Sequence, residues 1–254
     1  MSWTNIEALA VGRSKRGAIR WGVLAAIDQL TVPFNVDRPH VQRITDAQLL
    51  QAVRQGPLSS DQLIAFAKEY EVFRYPLNVL KGRAERTTEI AQALDTIYRV
   101  RVSDGRDLAE LWWRAISFVR NILDRYPETA PRNMYSFCMK ALWFYQPETA
   151  TMWDSFAVKG LNEWLRVSHG HQIKTSAEAK KFFADFEILF RSIGSEIQSS
   201  IAEAAAATGH LYPYPRRVLD KALWFLSTSD AECLAWLRRI EANPARRQLF
   251  ERLF

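Results

Sequence analysis

Leu108-Ala-Glu-Leu-Trp-Trp-Arg-Ala-Ile-Ser-Phe-Val-Arg-Asn-Ile-Leu-Asp124 carries the pattern that decides the fold. Leu108, Leu111, Trp112, Ala115, Ile116, Val119 and Leu123 recur every three to four residues, while Arg114, Arg120 and Asp124 fall on the opposite side. That spacing sets one apolar stripe on a helix and cannot line one face of a strand, whose side chains alternate with a period of two. The spacing predicts a helix over Leu108–Tyr126, stopped before Pro127.

Working outward, the same signature recurs with its own start marks. Thr45 with Gln48, Ser59 with Gln62, Thr175 with Glu178 and Ser229 with Glu232 have the spacing at which a hydroxyl caps the amide three residues on and the longer side chain reaches back. Gly56 and Pro76 mark stops. Ala177–Thr208 carries Phe182, Phe183, Phe186, Leu189, Phe190, Ile193, Ile197 and Ile201, and reads as the longest helix, with Gly194 as a place to bend and Gly209 as its end. Ser103-Asp104-Gly105 reads as a turn, and Tyr98–Val102 before it is open to an extended conformation. The fold class expected is all-α: one multi-helix body over residues 1–254, with room for two lobes and a groove between them as the place for a site.

The 254 residues are 48% hydrophobic, enough to bury a core. Nine Trp, eight Tyr and fourteen Phe exceed what a minimal bundle needs, which leaves rings to face a ligand. The formal net charge of +6 favours a polyanionic partner through steering and counterion release. Cys138 and Cys233 are too few for a thiolate metal cage or a disulfide scaffold, and fit a reducing cytoplasm. There is neither an apolar leader nor an eighteen-residue apolar run, so no membrane association is expected. Nor do the residues call for a cofactor, a metal or an obligate protein partner.

Lys140-Ala-Leu-Trp-Phe144 recurs as Lys221-Ala-Leu-Trp-Phe225, and only the first copy runs through Pro147 to Trp153-Asp154-Ser155. Fourteen residues of unbroken helix would hold Lys140 about 21 Å from Asp154. Pro147 forbids an unbroken helix, and a reversal there lets both side chains reach one cleft.

This helix, proline turn and helix over about thirty residues resembles the helix-hairpin-helix superfamily of DNA base-excision glycosylases, in particular the branch related to 8-oxoguanine glycosylases. The resemblance implies a catalytic carboxylate at Asp154, flanked by Trp153 and Ser155, and an amine at Lys140 that attacks the sugar C1′. It also implies double-stranded DNA bearing a modified base as the partner, base flipping, and for bacterial members a role against modified viral DNA. The family's glycine-rich, phosphate-gripping hairpin is missing between Ala130 and Lys140, where Arg132, Asn133 and Ser136 stand as side-chain substitutes. A fixed carboxylate suits this chemistry because the sugar gains oxocarbenium character as the base leaves. The same residues have plain structural roles: Asp154 as a helix cap, Lys140 as an amphipathic-helix lysine, and Trp143, Phe144 and Trp153 as core.

Tyr212-Pro-Tyr214-Pro-Arg216-Arg217 has two readings: prolines that hold the rings outward for base stacking with the arginines on phosphates, or an ordinary interhelix connection whose tyrosines pack under the arginines. Asp220 stands ready to pair with either arginine. Arg13, Lys15, Arg16 and Arg20 form one basic cluster, and Arg238, Arg239, Arg246 and Arg247 another. His169-Gly-His171 offers two imidazoles, but no carboxylate or cysteine nearby completes a recognisable metal site, and it reads as a loop. The function expected is N-glycosidic cleavage of a flipped nucleobase, with a noncatalytic helical nucleic-acid-binding module and a protein-interaction scaffold as the other classes.

Overall fold

The computed structural model describes residues 14–31, 44–70, 84–125, 134–170, 173–209 and 211–253. Among these the chain forms α-helices and no strand: α1 (Lys15–Thr31), α2 (Asp46–Gln55), α3 (Ser60–Glu69), α4 (Ala84–Tyr98), α5 (Gly105–Asp124), α6 (Tyr135–Tyr145), α7 (Ser155–Leu165), α8 (Ser176–Thr208), α9 (Pro215–Ser227), α10 (Asp230–Ala242) and α11 (Pro244–Leu253). The protein is a multi-helix, all-α fold. Pro76, Pro127, Arg13, Arg132, Asn133 and His171 lie outside the described residues.

The helix starts follow local chemistry. Reciprocal capping boxes open α2 at Thr45, α3 at Ser59 and α10 at Ser229. At α8 the Thr175 hydroxyl accepts from Glu178 N at 3.2 Å while the Glu178 carboxylate accepts from Thr175 N at 3.0 Å. Ser103-Asp104-Gly105 is a helix start rather than a free turn, because the Asp104 carboxylate accepts from Asp107 N and opens α5. Tyr98 closes α4, and residues 99–103 run on to that cap without strand pairing. α8 passes straight through Gly194 as helix and ends at Gly209, whose φ of +76° suits a residue without Cβ.

The chain forms two compact units. The terminal unit comprises Met1–Asp28, Trp153–Gln172 and Ala184–Phe254; the central unit comprises Gln29–Met152 and Ile173–Phe183.

In the central unit, α5 buries Leu108, Leu111, Trp112, Ala115, Ile116 and Val119 as its period requires, while Ile122 takes the inward place and Leu123 is half-buried. α6 packs on α2, α4 and α5. Its Phe137 and Phe144 meet Phe66 of α3, each at 5.6 Å between ring centroids. Tyr98 donates its hydroxyl to Cys138 O at 2.8 Å, satisfying a polar atom at the centre of that core. Burial pushes the Cys138 thiol up, so it behaves as an apolar side chain.

In the terminal unit, α7 and α9 form the most extensive helix pair. A Cβ on Gly160 of α7 would stand 2.2 Å from Leu223 O, and one on Gly22 of α1 would stand 2.4 Å from Val218 O. Two helices therefore touch the backbone of α9 through glycine, where any side chain would push them away. Trp21 completes this core, with its ring 5.5 Å from Trp224, 4.6 Å from Phe225 and 4.5 Å from Trp236.

Candidate functional site

α6 ends at Tyr145, and Pro147 opens a turn in which Gln146 O accepts from Thr149 N and Ala150 N at 3.2 and 2.8 Å. Gln146 anchors the turn by donating its amide to Tyr98 O and Val100 O at 2.7 and 2.8 Å. The stretch that follows is interior: Ala150, Thr151, Met152 and Trp153 are all buried. Trp153 is 4% exposed, so it takes the core role open to it and offers no ring to DNA.

Asp154 is half-buried and caps α7. Its Oδ1 accepts from Phe156 N and Ala157 N, both at 3.0 Å. Among the described residues, no hydrogen bond or ion pair engages its Oδ2. The cap thus fixes the carboxylate through one oxygen and leaves the other available, and the helix N-terminus favours its negative charge. Ser155 beside it is exposed.

Lys140 belongs to the central unit and Asp154 to the terminal one. On α6, the Lys140 ammonium lies 5.7 Å from the Tyr70 ring centroid and 3.4 Å from Tyr70 O, a half-buried cation over an aromatic face. Ser136 is half-buried in the first turn of the same helix. Next to it, Arg120 of α5 donates to the Tyr135 hydroxyl at 2.7 Å.

The proline-rich segment before α9 takes the interhelix reading, not the outward one. Tyr212 and Tyr214 are buried, at 4% and 5% exposure, with ring centroids 5.8 Å apart edge to face. The prolines therefore turn both rings inward, and neither offers a face for base stacking. Arg217 is buried and bonded to Asp220 at 2.5 Å, the pairing open from the sequence. Arg216 is bound to Glu187 at 2.6 Å with its guanidinium 4.4 Å from the Phe190 ring. Arg217 is thus enclosed, which removes it from any phosphate contact, while the half-buried Arg216 is held by Glu187.

Of the N-terminal basic cluster, Lys15, Arg16 and Arg20 do share a surface: a cavity of about 510 Å³ that Ser195, Ser199 and Ser200 of α8 also line. Glu196 and Glu203 line it too, and Glu203 holds Arg20 at 3.4 Å, so the positive field there is blunted. Arg246 is paired with Asp28 at 2.5 Å and Arg247 with Glu251 at 2.9 Å. His169 does have a carboxylate partner, Asp185 of α8 at 2.9 Å. No cluster of His, Cys, Asp and Glu suited to a metal occurs among the described residues.

A cavity of about 370 Å³ in the central unit escaped the sequence. It lies where α2, α4 and α6 end, and Arg54, Arg99, Arg101, Tyr145 and Thr149 help to line it. These residues come from three distant segments, each ordinary alone. The one local hint is the density of arginines at 99–101 beside the Pro147 turn.

A scan against protein-family models finds no matching family, and searches of curated proteins and of solved structures find no matching relative.

Proposed function

We propose that the chain is a DNA glycosylase-like enzyme that cleaves the N-glycosidic bond of a flipped, modified nucleobase, with Asp154 as the catalytic carboxylate. The observation that carries it is the division of labour within that carboxylate: Oδ1 is locked by two amides, and Oδ2 is without a partner among the described residues. A charge held in place before the reaction stabilises a developing oxocarbenium ion without the penalty of reorienting itself. The resemblance of the Lys140 to Ser155 stretch to helix-hairpin-helix glycosylases supports the same chemistry, and the net charge of +6 supports a DNA partner. Lys140 is the proposed amine; to attack it would have to leave the Tyr70 face and lose its proton. Modified bases such as those of viral DNA belong in the substrate panel.

Asp154→Asn is the decisive variant, because asparagine caps a helix as well as aspartate does. With duplexes carrying assorted modified bases, wild type should release free base and leave an abasic site. Asp154→Asn should lose about 10²-fold or more of the rate at an unchanged denaturation midpoint. A borohydride-trapped adduct abolished by Lys140→Ala would assign the nucleophile, while base release without an adduct makes water the attacker. Salt-sensitive DNA binding with no base release from any duplex would overturn catalysis in favour of a noncatalytic binding module. Absence of DNA binding would overturn both.

A further inference from the structure

The central unit's cavity provides a second, independent site. Three helices end around it, and helix C-termini present carbonyl oxygens. That explains Arg99, which donates to Val53 O at 2.7 Å and to the Asp95 carboxylate at 2.8 Å. It does not explain Arg101, which lines the cavity, is exposed, and makes no hydrogen bond or ion pair among the described residues. Nor does it explain two further lining residues, Tyr145 and Thr149, whose hydroxyl oxygens are buried and find no hydrogen-bond partner among the described residues. Buried hydroxyls are almost always partnered, and leaving one unmade is unfavourable. Burial pushes the Tyr145 phenol up, which keeps it a neutral donor.

We propose that this cavity binds a small phosphomonoester, with Arg101 facing the phosphate and the Tyr145 and Thr149 hydroxyls donating to its oxygens. A phosphomonoester near neutral pH carries more than one negative charge and three strong acceptor oxygens, and the Arg101 guanidinium with two hydroxyl donors has to hold it against the carbonyl ends of the three helices. Glu148 is the acid in the lining and Asp95, paired with Arg99 at 2.8 Å, adds a second carboxylate whose charge acts on Tyr145, so Arg101 is the cation there that makes no hydrogen bond or ion pair among the described residues. A volume of about 370 Å³ lies within the range of small-molecule sites and accommodates a phosphate with a modest organic body.

The test is titration calorimetry of the full chain with inorganic phosphate, adenosine 5′-monophosphate and adenosine. Inorganic phosphate and the monophosphate should bind saturably and adenosine should not. Arg101→Ala and Tyr145→Phe should each weaken phosphate binding tenfold or more. Arg101 is exposed and unbonded among the described residues, so its variant folds, and an unchanged circular dichroism spectrum checks this. Two oligonucleotides of one sequence, differing only in a 5′-phosphate, separate the sources. A preference for the phosphorylated end that Arg101→Ala removes makes a DNA terminus the monoester, whereas monophosphate binding without that preference makes it a free metabolite. The proposal is overturned by no saturable binding of phosphate or the monophosphate, by adenosine binding as tightly as the monophosphate, or by binding that Arg101→Ala leaves intact. None of these outcomes bears on base release, so this site and Asp154 stand or fall separately.

Discussion

Lys-Ala-Leu-Trp-Phe occurs once in each unit, at 140–144 and at 221–225, and the two copies do opposite things with the same side chains. In the central unit the packing is by rings. Trp143 is fully buried and meets Phe144 edge to face at 4.9 Å, while Phe144 meets Phe66 and Tyr70. In the terminal unit Trp224 is only half-buried and stacks on Trp21, and what is tightest there is backbone, with Gly22 and Gly160 pressed onto Val218 and Leu223. The lysines diverge likewise. Lys140 sits over the Tyr70 ring, whereas Lys221 contributes its charge to the field around the buried Asp28. A five-residue word thus fixes helix and inward face, and its neighbours decide the rest.

Truncating the tryptophans should break the comparison most sharply. Trp143→Ala removes a fully enclosed ring and should destabilise the protein by about 3–5 kcal/mol, by analogy with other large-to-small core changes. Trp224→Ala, from a half-buried site, should lose about half as much or less. Urea unfolding measures both. Equal losses would mean that the two copies are packed alike after all.

The lysines can be separated by pH. Burial raises the Asp28 carboxyl from 3.8 to about 6, against the charges of Arg246, Arg239 and Lys221, which pull the other way. A folded-state value above the unfolded one contributes stability that is fully present below pH 3.8 and lost as pH rises through about 6. Relative to Asp28→Asn, the wild type should therefore lose up to about 3 kcal/mol between pH 4 and pH 7, since each tenfold change in proton affinity is worth about 1.36 kcal/mol. Lys221→Met removes an opposing charge and should move that loss to higher pH. Lys140→Met should leave it in place. A difference profile that is flat from pH 4 to 7 would show that Arg246 outweighs burial.

The elements that were legible in the sequence are those coded locally. Each capping box lies within four residues, and the stripe on α5 depends only on its own period, so Thr45, Ser59, Thr175 and Ser229 and most of the α5 core could be read directly. Arg217 with Asp220 is legible for the same reason, being three residues apart on one helix. Which side of a break faces the interior is a different kind of information. Prolines around Tyr212 and Tyr214 announce that the helix stops, but the direction of the rings depends on residues the segment does not contain, and they point inward. His169 with Asp185 and the cavity shared by Arg54, Arg101 and Thr149 join segments far apart in the chain, beyond the reach of any local pattern. Asp154 was legible as a cap, and the cap is what the structure shows. Its proposed chemistry rests on an open oxygen that no spacing rule could have shown.

The glycine seam supplies the smallest of the effects and the one with an internal control. Replacing a mid-helix glycine by alanine normally stabilises by about 0.5–1 kcal/mol, because alanine has less chain entropy to lose. Gly194 in α8 has nothing within 4 Å of its prospective Cβ, so Gly194→Ala should gain that amount. At Gly160 the new Cβ would meet Leu223 O at 2.2 Å and Leu223 C at 2.8 Å, and those are backbone atoms that cannot rotate away. Overpacking typically destabilises by about 1–3 kcal/mol, which outweighs the entropic gain, so Gly160→Ala should be destabilising on balance. The displacement has a direction: α7 must move off α9, and α7 begins at the Asp154 cap. Gly160→Ala should therefore slow any base release attributed to Asp154 more than its loss of stability accounts for, while Gly194→Ala leaves the rate unchanged. A Gly160→Ala protein as stable as wild type would show that α7 and α9 are free to separate at no penalty, and the contrast between a ring-packed and a backbone-packed copy would collapse.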